Sequence, residues 1–144
     1  MSTNEIELPR YTEDQELWNC ITHALGVVFA IIAGPYLIAK AALTGDVWQI
    51  STSLVFLAAL IILYGGSAIY HGAAPSDAKR IFRVLDHNNV FILIMGTYTP
   101  YCLVALRGYS PVWCWTIFGI CMGLGILGIV FNSINIKKFA VVNF

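Results

Sequence analysis

The chain has 144 residues, of which 58% are hydrophobic and 11% are charged. Soluble domains usually contain about 25% charged residues, so this composition, with a mean hydropathy of +0.75, indicates a membrane protein. The formal net charge is zero, and the overall charge therefore gives no reason to expect a nucleic-acid partner. We expect membrane lipids to surround the chain.

Residues 1–16 are polar and acidic, with five carboxylates against the single cation Arg10. A secretory signal peptide instead begins with positive charge and continues directly into an apolar core. We therefore predict that residues 1–16 form a polar cytoplasmic tail, and that the first apolar span is kept as an anchor.

Four apolar runs follow, over residues 18–43, 47–70, 84–106 and 112–134. A helix crosses the hydrocarbon core of a bilayer with about 20 residues, and each run is long enough. The sequence predicts an all-α, polytopic transmembrane bundle over residues 17–134, with four spans. Residues 135–144 are predicted to be a short C-terminal tail.

Lysine and arginine are unevenly divided between the two sides of such a bundle. Lys40 and Arg107 lie on one side. The other side holds six basic residues, Arg10, Lys79, Arg80, Arg83, Lys137 and Lys138. The positive-inside rule then places both termini in the cytoplasm. We expect a multi-pass protein of the cell membrane. The basic run before the third span is expected to contact anionic headgroups.

Polar residues gather where the second span ends and the third begins. Ser67 and His71 are one helical turn apart on one face, so the serine can orient the imidazole; alternatively it bonds its own backbone. Asp86 and His87 open the third span. Asp86 either forms an ordinary ion pair with Arg83 on the helix surface, or it takes part in a metal site or in proton transfer. Ionisable groups at membrane depth are costly and usually functional, so this junction is our candidate site.

The first span presents Glu16, Asn19 and His23 at helical spacing on the same side of the membrane. Taken alone, His23 is an ordinary interior histidine. Three helices that each present polar groups at one depth nevertheless make a shared pocket plausible. A catalytic zinc site takes three protein ligands and an open position. By count His23, His71 and Asp86 supply three ligands, although their spacing does not show that they converge.

The four cysteines lie in or beside apolar runs, and none forms a CxxC pair. We interpret them as small buried side chains. A bridge between Cys102 and Cys114 across the short loop is the alternative, and it depends on a geometry that sequence does not give.

Three ordered segments resemble the motifs of the hemolysin III family. They are Glu16-Leu-Trp-Asn-Cys-Ile-Thr-His-Ala-Leu-Gly26, Ser67-Ala-Ile-Tyr-His71 and the segment from Leu85-Asp86-His87 to Gly96-Thr-Tyr-Thr-Pro100. That family is grouped with the progestin and adipoQ receptors, which include the adiponectin receptors, and with alkaline ceramidases. The resemblance implies a seven-helix membrane bundle with a cytoplasmic N-terminus.

The resemblance also implies a zinc ion on the cytoplasmic side. It makes His71 a zinc ligand, gives Asp86 the role of holding water at the metal, and places Ser67 beside the site. The family's other two ligands form a His-x-x-x-His pair on the last span, and this chain contains no such pair. We therefore expect a truncated chain with an incomplete zinc site. Further pocket residues are expected to be Glu16, Asn19, His23 and His87.

Three functions remain open at this stage. The resemblance implies a zinc-dependent membrane hydrolase that acts on a lipid amide and is inactive as this chain alone. The second candidate is a membrane-perturbing hemolysin or channel-like protein, and the third is a non-catalytic regulator of membrane lipid balance. A pore would favour polar residues along the whole depth of the membrane, whereas here they gather at one end.

Overall fold

The computed structural model describes residues 8–134, whose regular structure is entirely helical. Helix α1 spans Glu13–Leu43, α2 spans Val47–Gly72, α3 spans Asp77–Pro100 and α4 spans Pro111–Ile134. A π-helical segment, Tyr101–Leu106, and a short helical turn, Arg107–Tyr109, connect α3 to α4.

Four helical stretches within residues 8–134 are long and apolar enough to cross a membrane. The prediction of an all-α bundle of transmembrane helices is therefore confirmed. The tail predicted for residues 135–144, with Lys137 and Lys138, lies outside the described residues, as do residues 1–7 of the N-terminal tail.

Short polar side chains determine where the first three helices begin. The hydroxyl of Thr12 accepts a hydrogen bond from the N–H of Gln15, whose side chain accepts one from the N–H of Thr12. This reciprocal pair is a capping box. Asp46 and Ser76 cap α2 and α3 in the simpler way, each accepting one backbone N–H. Gly45 has a φ of +68°, a left-handed conformation that glycine adopts easily, and it turns α1 into α2.

Each helix packs mainly against the next one along the chain, so α1, α2, α3 and α4 form a sequential arc. Short connections make neighbouring helices antiparallel. The start of α1, the end of α2, the start of α3 and the end of α4 therefore share one end of the bundle, which we call the pocket end. Large apolar side chains such as Phe29 and Ile32 are 69% and 72% exposed, and in a membrane such surfaces contact lipid.

All four cysteines have free thiols. Cys102 and Cys114 are fully buried, and the bridge considered between them is not formed. These side chains act as small apolar groups where the π-helical segment packs against α4, which agrees with the simpler interpretation of the sequence.

Glycine permits a close contact between α2 and α3. A Cβ atom at Gly96 would overlap the Cβ atom of Ala59, which has no rotamer to move. Gly125 of α4 likewise lies under Met95, with 2.6 Å between its hypothetical Cβ and the methionine Cγ. A Cβ atom at Gly123 meets nothing within 4 Å, so the glycines of α4 are not equivalent.

We predict that Gly96→Ala lowers the free energy of unfolding by about 1–3 kcal/mol, the usual cost of overpacking. The measurement is thermal unfolding of purified protein in one detergent. Gly123→Ala is the matched control. We expect it to leave the melting temperature unchanged or slightly raised, because alanine has a higher helix propensity than glycine. Equal losses in both variants would contradict this account of the contact between α2 and α3.

Candidate functional site

A pocket of about 760 Å³ opens at the pocket end of the bundle, and side chains from all four helices line it. Its walls include the apolar residues Leu63, Val90, Phe91 and Phe131. The polar residues that line it include Asn19, His23, Ser67, His71, Asp86 and His87. The structure thus brings together six of the seven residues singled out in the sequence, and the seventh, Glu16, contacts His71 directly.

Glu16 connects three helices through its two carboxylate oxygens. Oε2 lies 2.6 Å from Nδ1 of His71 on α2, and Oε1 accepts a hydrogen bond of 2.7 Å from Nζ of Lys79 on α3. The side chains of His71 and Lys79 are only 8% and 6% exposed, against 20% for Glu16. A charged pair this deep is maintained only by close hydrogen-bonding geometry, and both oxygens provide it.

The acceptors around the histidines fix which ring nitrogen carries hydrogen. Nδ1 of His23 lies 2.7 Å from the carbonyl oxygen of Asn19, and Nδ1 of His87 lies 2.9 Å from that of Arg83. A carbonyl oxygen only accepts, as does a carboxylate, so Nδ1 must donate in each case. We infer that the neutral rings of His23, His71 and His87 all leave Nε2 without hydrogen. A bare Nε2 is the atom with which imidazole binds a metal or accepts a hydrogen bond.

Aromatic rings surround His71. The rings of Tyr70 and Tyr11 lie 4.7 and 5.8 Å from it, centroid to centroid. The ring of His23 lies 5.9 Å away at an interplanar angle of 28°. These contacts limit how far the imidazole of His71 can tilt, while the bond to Glu16 holds the Nδ1 edge of the ring.

Asp86 lines the same pocket from the first half of α3. Its Oδ2 lies 3.8 Å from Nδ1 of His87, which is too long for a hydrogen bond. Ser67 is 4% exposed and lines the same pocket. Asp86 and Ser67 are therefore placed near His71, and their roles stay predictions.

The headgroup contact predicted for the basic run is wrong for Lys79. Lys79 is buried and bonds Glu16 and the carbonyl oxygen of Ala73, the latter at 2.9 Å. Arg83 is also buried, with 8% exposure. Charge asymmetry places such residues at one depth of the membrane. Charge asymmetry does not reveal that the carboxylate of Glu16, on another helix, bonds Lys79.

Sequence reasoning missed the amide network that joins α3 to α4 beside the pocket. Nδ2 of Asn132 donates to Oδ1 of Asn88 at 2.7 Å, and Nδ2 of Asn88 donates to Oγ of Ser133 at 2.9 Å. Asn132 also lines the pocket. The available signal was an asparagine inside an otherwise apolar span, since such side chains commonly bond across membrane helices.

The described residues do not form a complete zinc site. Between residues 8 and 134, no three side chains of His, Cys, Asp or Glu lie close enough together to hold a metal ion. The set of His23, His71 and Asp86 considered from the sequence is therefore not assembled as three ligands. The pocket offers three histidines whose Nδ1 atoms are each bonded, and among them only the Nδ1 of His71 is bonded to a side chain.

Residues 11–144 match the family model described as "Haemolysin-III related". The chain belongs to the hemolysin III family. The resemblance carried by the three sequence motifs is thus confirmed.

Two curated relatives support the assignment. The hemolysin-3 homolog of Bacillus subtilis (strain 168) is 35% identical over 129 residues, which cover 90% of this chain and 59% of the relative. Hemolysin-3 of Bacillus cereus is 34% identical over 125 residues, which cover 87% of this chain and 56% of the relative. The chain therefore spans little more than half the length of these hemolysin III proteins. No solved structure matches it significantly.

We predict that Lys79→Met destabilises this hemolysin III protein by about 2 kcal/mol. Breaking a fully buried ion pair costs about 3–5 kcal/mol, and partial exposure of Glu16 reduces that figure. Thermal unfolding in detergent measures the loss. Lys40→Met is the control, because Lys40 is exposed and its ammonium lies over the ring of Tyr36 at 5.6 Å, with no carboxylate paired to it among residues 8–134. A Lys79 variant as stable as the Lys40 variant would show that the buried contact contributes nothing.

Proposed function

We propose that the pocket is part of a zinc-dependent site in a membrane hydrolase, with a lipid amide as its substrate. The observation that carries this proposal is the imidazole of His71. Its Nδ1 is occupied by Glu16, which leaves Nε2 free in a pocket shared with Ser67 and Asp86. A histidine held by a carboxylate through its other nitrogen is the usual arrangement of a zinc ligand.

The zinc site would need ligands beyond residues 8–134, because those residues do not form a group of three. The relatives are longer than this chain, which covers 59% of one and 56% of the other. We propose that His71 contributes one ligand, and that the remaining ligands come from outside the described residues. Zinc, when bound, supplies a Lewis acid that polarises a carbonyl group.

The other residues act on the substrate and its proton. Asp86 carries a carboxylate that can accept a proton from water, as a general base does. The hydroxyl of Ser67 can hydrogen-bond the substrate carbonyl or hold water beside it. The apolar walls formed by Leu63, Phe91 and Phe131 suit an acyl chain, since lipid pockets combine apolar walls with a few polar groups.

The pocket end is proposed to face the cytoplasm, with the protein in the cell membrane. The support is the uneven distribution of lysine and arginine, together with the antiparallel arc that places the start of α3 and the start of α1 at the same end. A pocket at that end would be open to a lipid of the inner leaflet.

The proposed metal site predicts zinc in purified protein that depends on His71. We expect stoichiometric zinc in the longer hemolysin-3 homolog of Bacillus subtilis and weaker binding in this chain. The zinc content is measured by elemental analysis after dialysis has removed unbound zinc. His71→Ala is expected to lower the metal content of this chain to background, and the matching histidine variant to do the same in the relative. His87→Ala is the control and should retain zinc. Zinc that persists without His71, or a relative purified without zinc, would contradict the proposal.

Turnover is tested separately in the longer relative, with a long-chain N-acyl lipid in detergent micelles and release of the free fatty acid as the readout. Replacing the aspartate that matches Asp86 by asparagine removes the proton acceptor with little change in size. General acid–base catalysis typically contributes about 100- to 10,000-fold, and we expect a loss in that range. Zinc and lipid binding without any release of fatty acid would favour the regulator over the enzyme.

The relatives' printed names keep a membrane-perturbing activity as the second candidate. It would be seen as dye release from liposomes, compared with an inert membrane protein of similar size at equal density. We expect no excess leakage, because the polar lining gathers at one end of the bundle. Leakage clearly above that of the inert protein would favour the hemolysin over the enzyme.

A further inference from the structure

We propose that Glu16 is a positioning residue, which fixes the ring orientation and the tautomer of His71 from a different helix. In its metal-binding consequence this inference rests on the function proposed above. The orientation itself is a property of the protein without metal and can be tested alone.

The two bonds of Glu16 determine the direction of each hydrogen. Lys79 has only donors, so Oε1 of Glu16 accepts from it at 2.7 Å. The ammonium group of Lys79 beside it favours the ionised form of Glu16. As a carboxylate, Glu16 also accepts at Oε2, from Nδ1 of His71 at 2.6 Å. Since Nδ1 holds the hydrogen, Nε2 of the neutral ring is bare.

His71 differs from the other two histidines in how it is held. His23 and His87 each donate to the carbonyl oxygen of the residue four positions earlier in their own helix. Each of these acceptors therefore belongs to the histidine's own helix. The partner of His71 is instead 55 residues away in sequence, on α1. Its orientation therefore depends on α1 and α2 being packed together.

Lys79 supports the contact from the opposite side. Its Nζ bonds Glu16 and the carbonyl oxygen of Ala73, and lies 5.5 Å from the ring centroid of Tyr70. The carboxylate of Glu16 is held between a fixed cation and the imidazole, which restricts its rotation. The rings of Tyr11 and Tyr70 pack around the imidazole itself. The tilt of the His71 ring is thus limited by its aromatic neighbours, and Glu16 is placed to determine that its Nδ1 edge points toward α1.

The test is ¹⁵N NMR of histidine-labelled protein in lipid nanodiscs at mildly alkaline pH, without added metal. A His71→Gln spectrum assigns the His71 signals by their disappearance. We expect His71 of the wild type to be the Nδ1–H tautomer, and Glu16→Ala to shift it to a mixture or to Nε2–H. Signals of His23 should not change. A wild-type His71 in the Nε2–H form, or an unchanged His71 in Glu16→Ala, would overturn the proposal.

Two variants separate positioning from general support of the fold. Glu16→Gln keeps an oxygen acceptor and is expected to retain the Nδ1–H tautomer. Lys79→Met removes the other partner of Glu16 and is expected to lower stability while leaving His71 in the Nδ1–H form. Loss of the tautomer in Lys79→Met to the same extent as in Glu16→Ala would mean that Glu16 acts only through the fold. If Glu16→Ala does not fold, the wild-type spectrum still decides whether His71 has the required tautomer.

Metal affinity links the inference to the proposed function. Loss of a residue that orients a metal ligand commonly costs about 10- to 100-fold in affinity, and we expect that loss for zinc in Glu16→Ala, with Glu16→Gln closer to wild type. If the wild type binds no zinc but its tautomer responds to Glu16, the metal proposal fails and the positioning role stands. If zinc binding requires His71 but is unaffected in Glu16→Ala, the positioning role fails and the metal proposal stands.

Discussion

Glu16 lies in the first turn of α1, yet its carboxylate accepts hydrogen bonds from the end of α2 and from the first turn of α3. This charged contact restricts how the three helices can rotate about their own axes at the pocket end. It acts together with the directional bond from Asn89 of α3 to the carbonyl oxygen of Ile62 on α2.

The polar lining and the helix contacts depend on each other. Gly96 permits α3 to approach Ala59 closely, and the pair Asn88 and Asn132 joins α3 to α4 at 2.7 Å. Without close approach the pocket would widen and its histidines would separate. The pocket therefore depends on backbone contacts that lie deeper in the membrane than the polar residues themselves.

The sequence was sufficient for the number of apolar helices and for the end of the bundle at which the predicted polar residues lie, because apolar length and antiparallel order determine both. It was insufficient for the rotation of each helix about its own axis. Lipid-facing and protein-facing surfaces of these helices are both apolar, so periodicity does not indicate which face is buried. That is why Lys79 was predicted at the headgroups, and why Asn132 was missed. The family motifs included Glu16, but not its contact with Lys79, which lies 63 residues further along the chain.

The sequential arc has a consequence for biogenesis. Because each helix packs mainly against the one made just before it, helical hairpins can associate as they leave the insertion machinery. His23 and His87 are oriented by their own helices from the outset. His71 is oriented only after α1 and α2 have associated. Glu16 forms its second bond, to Lys79, only after the start of α3 has packed against them. The nascent protein is thus kept from presenting an ordered site until three helices are in place.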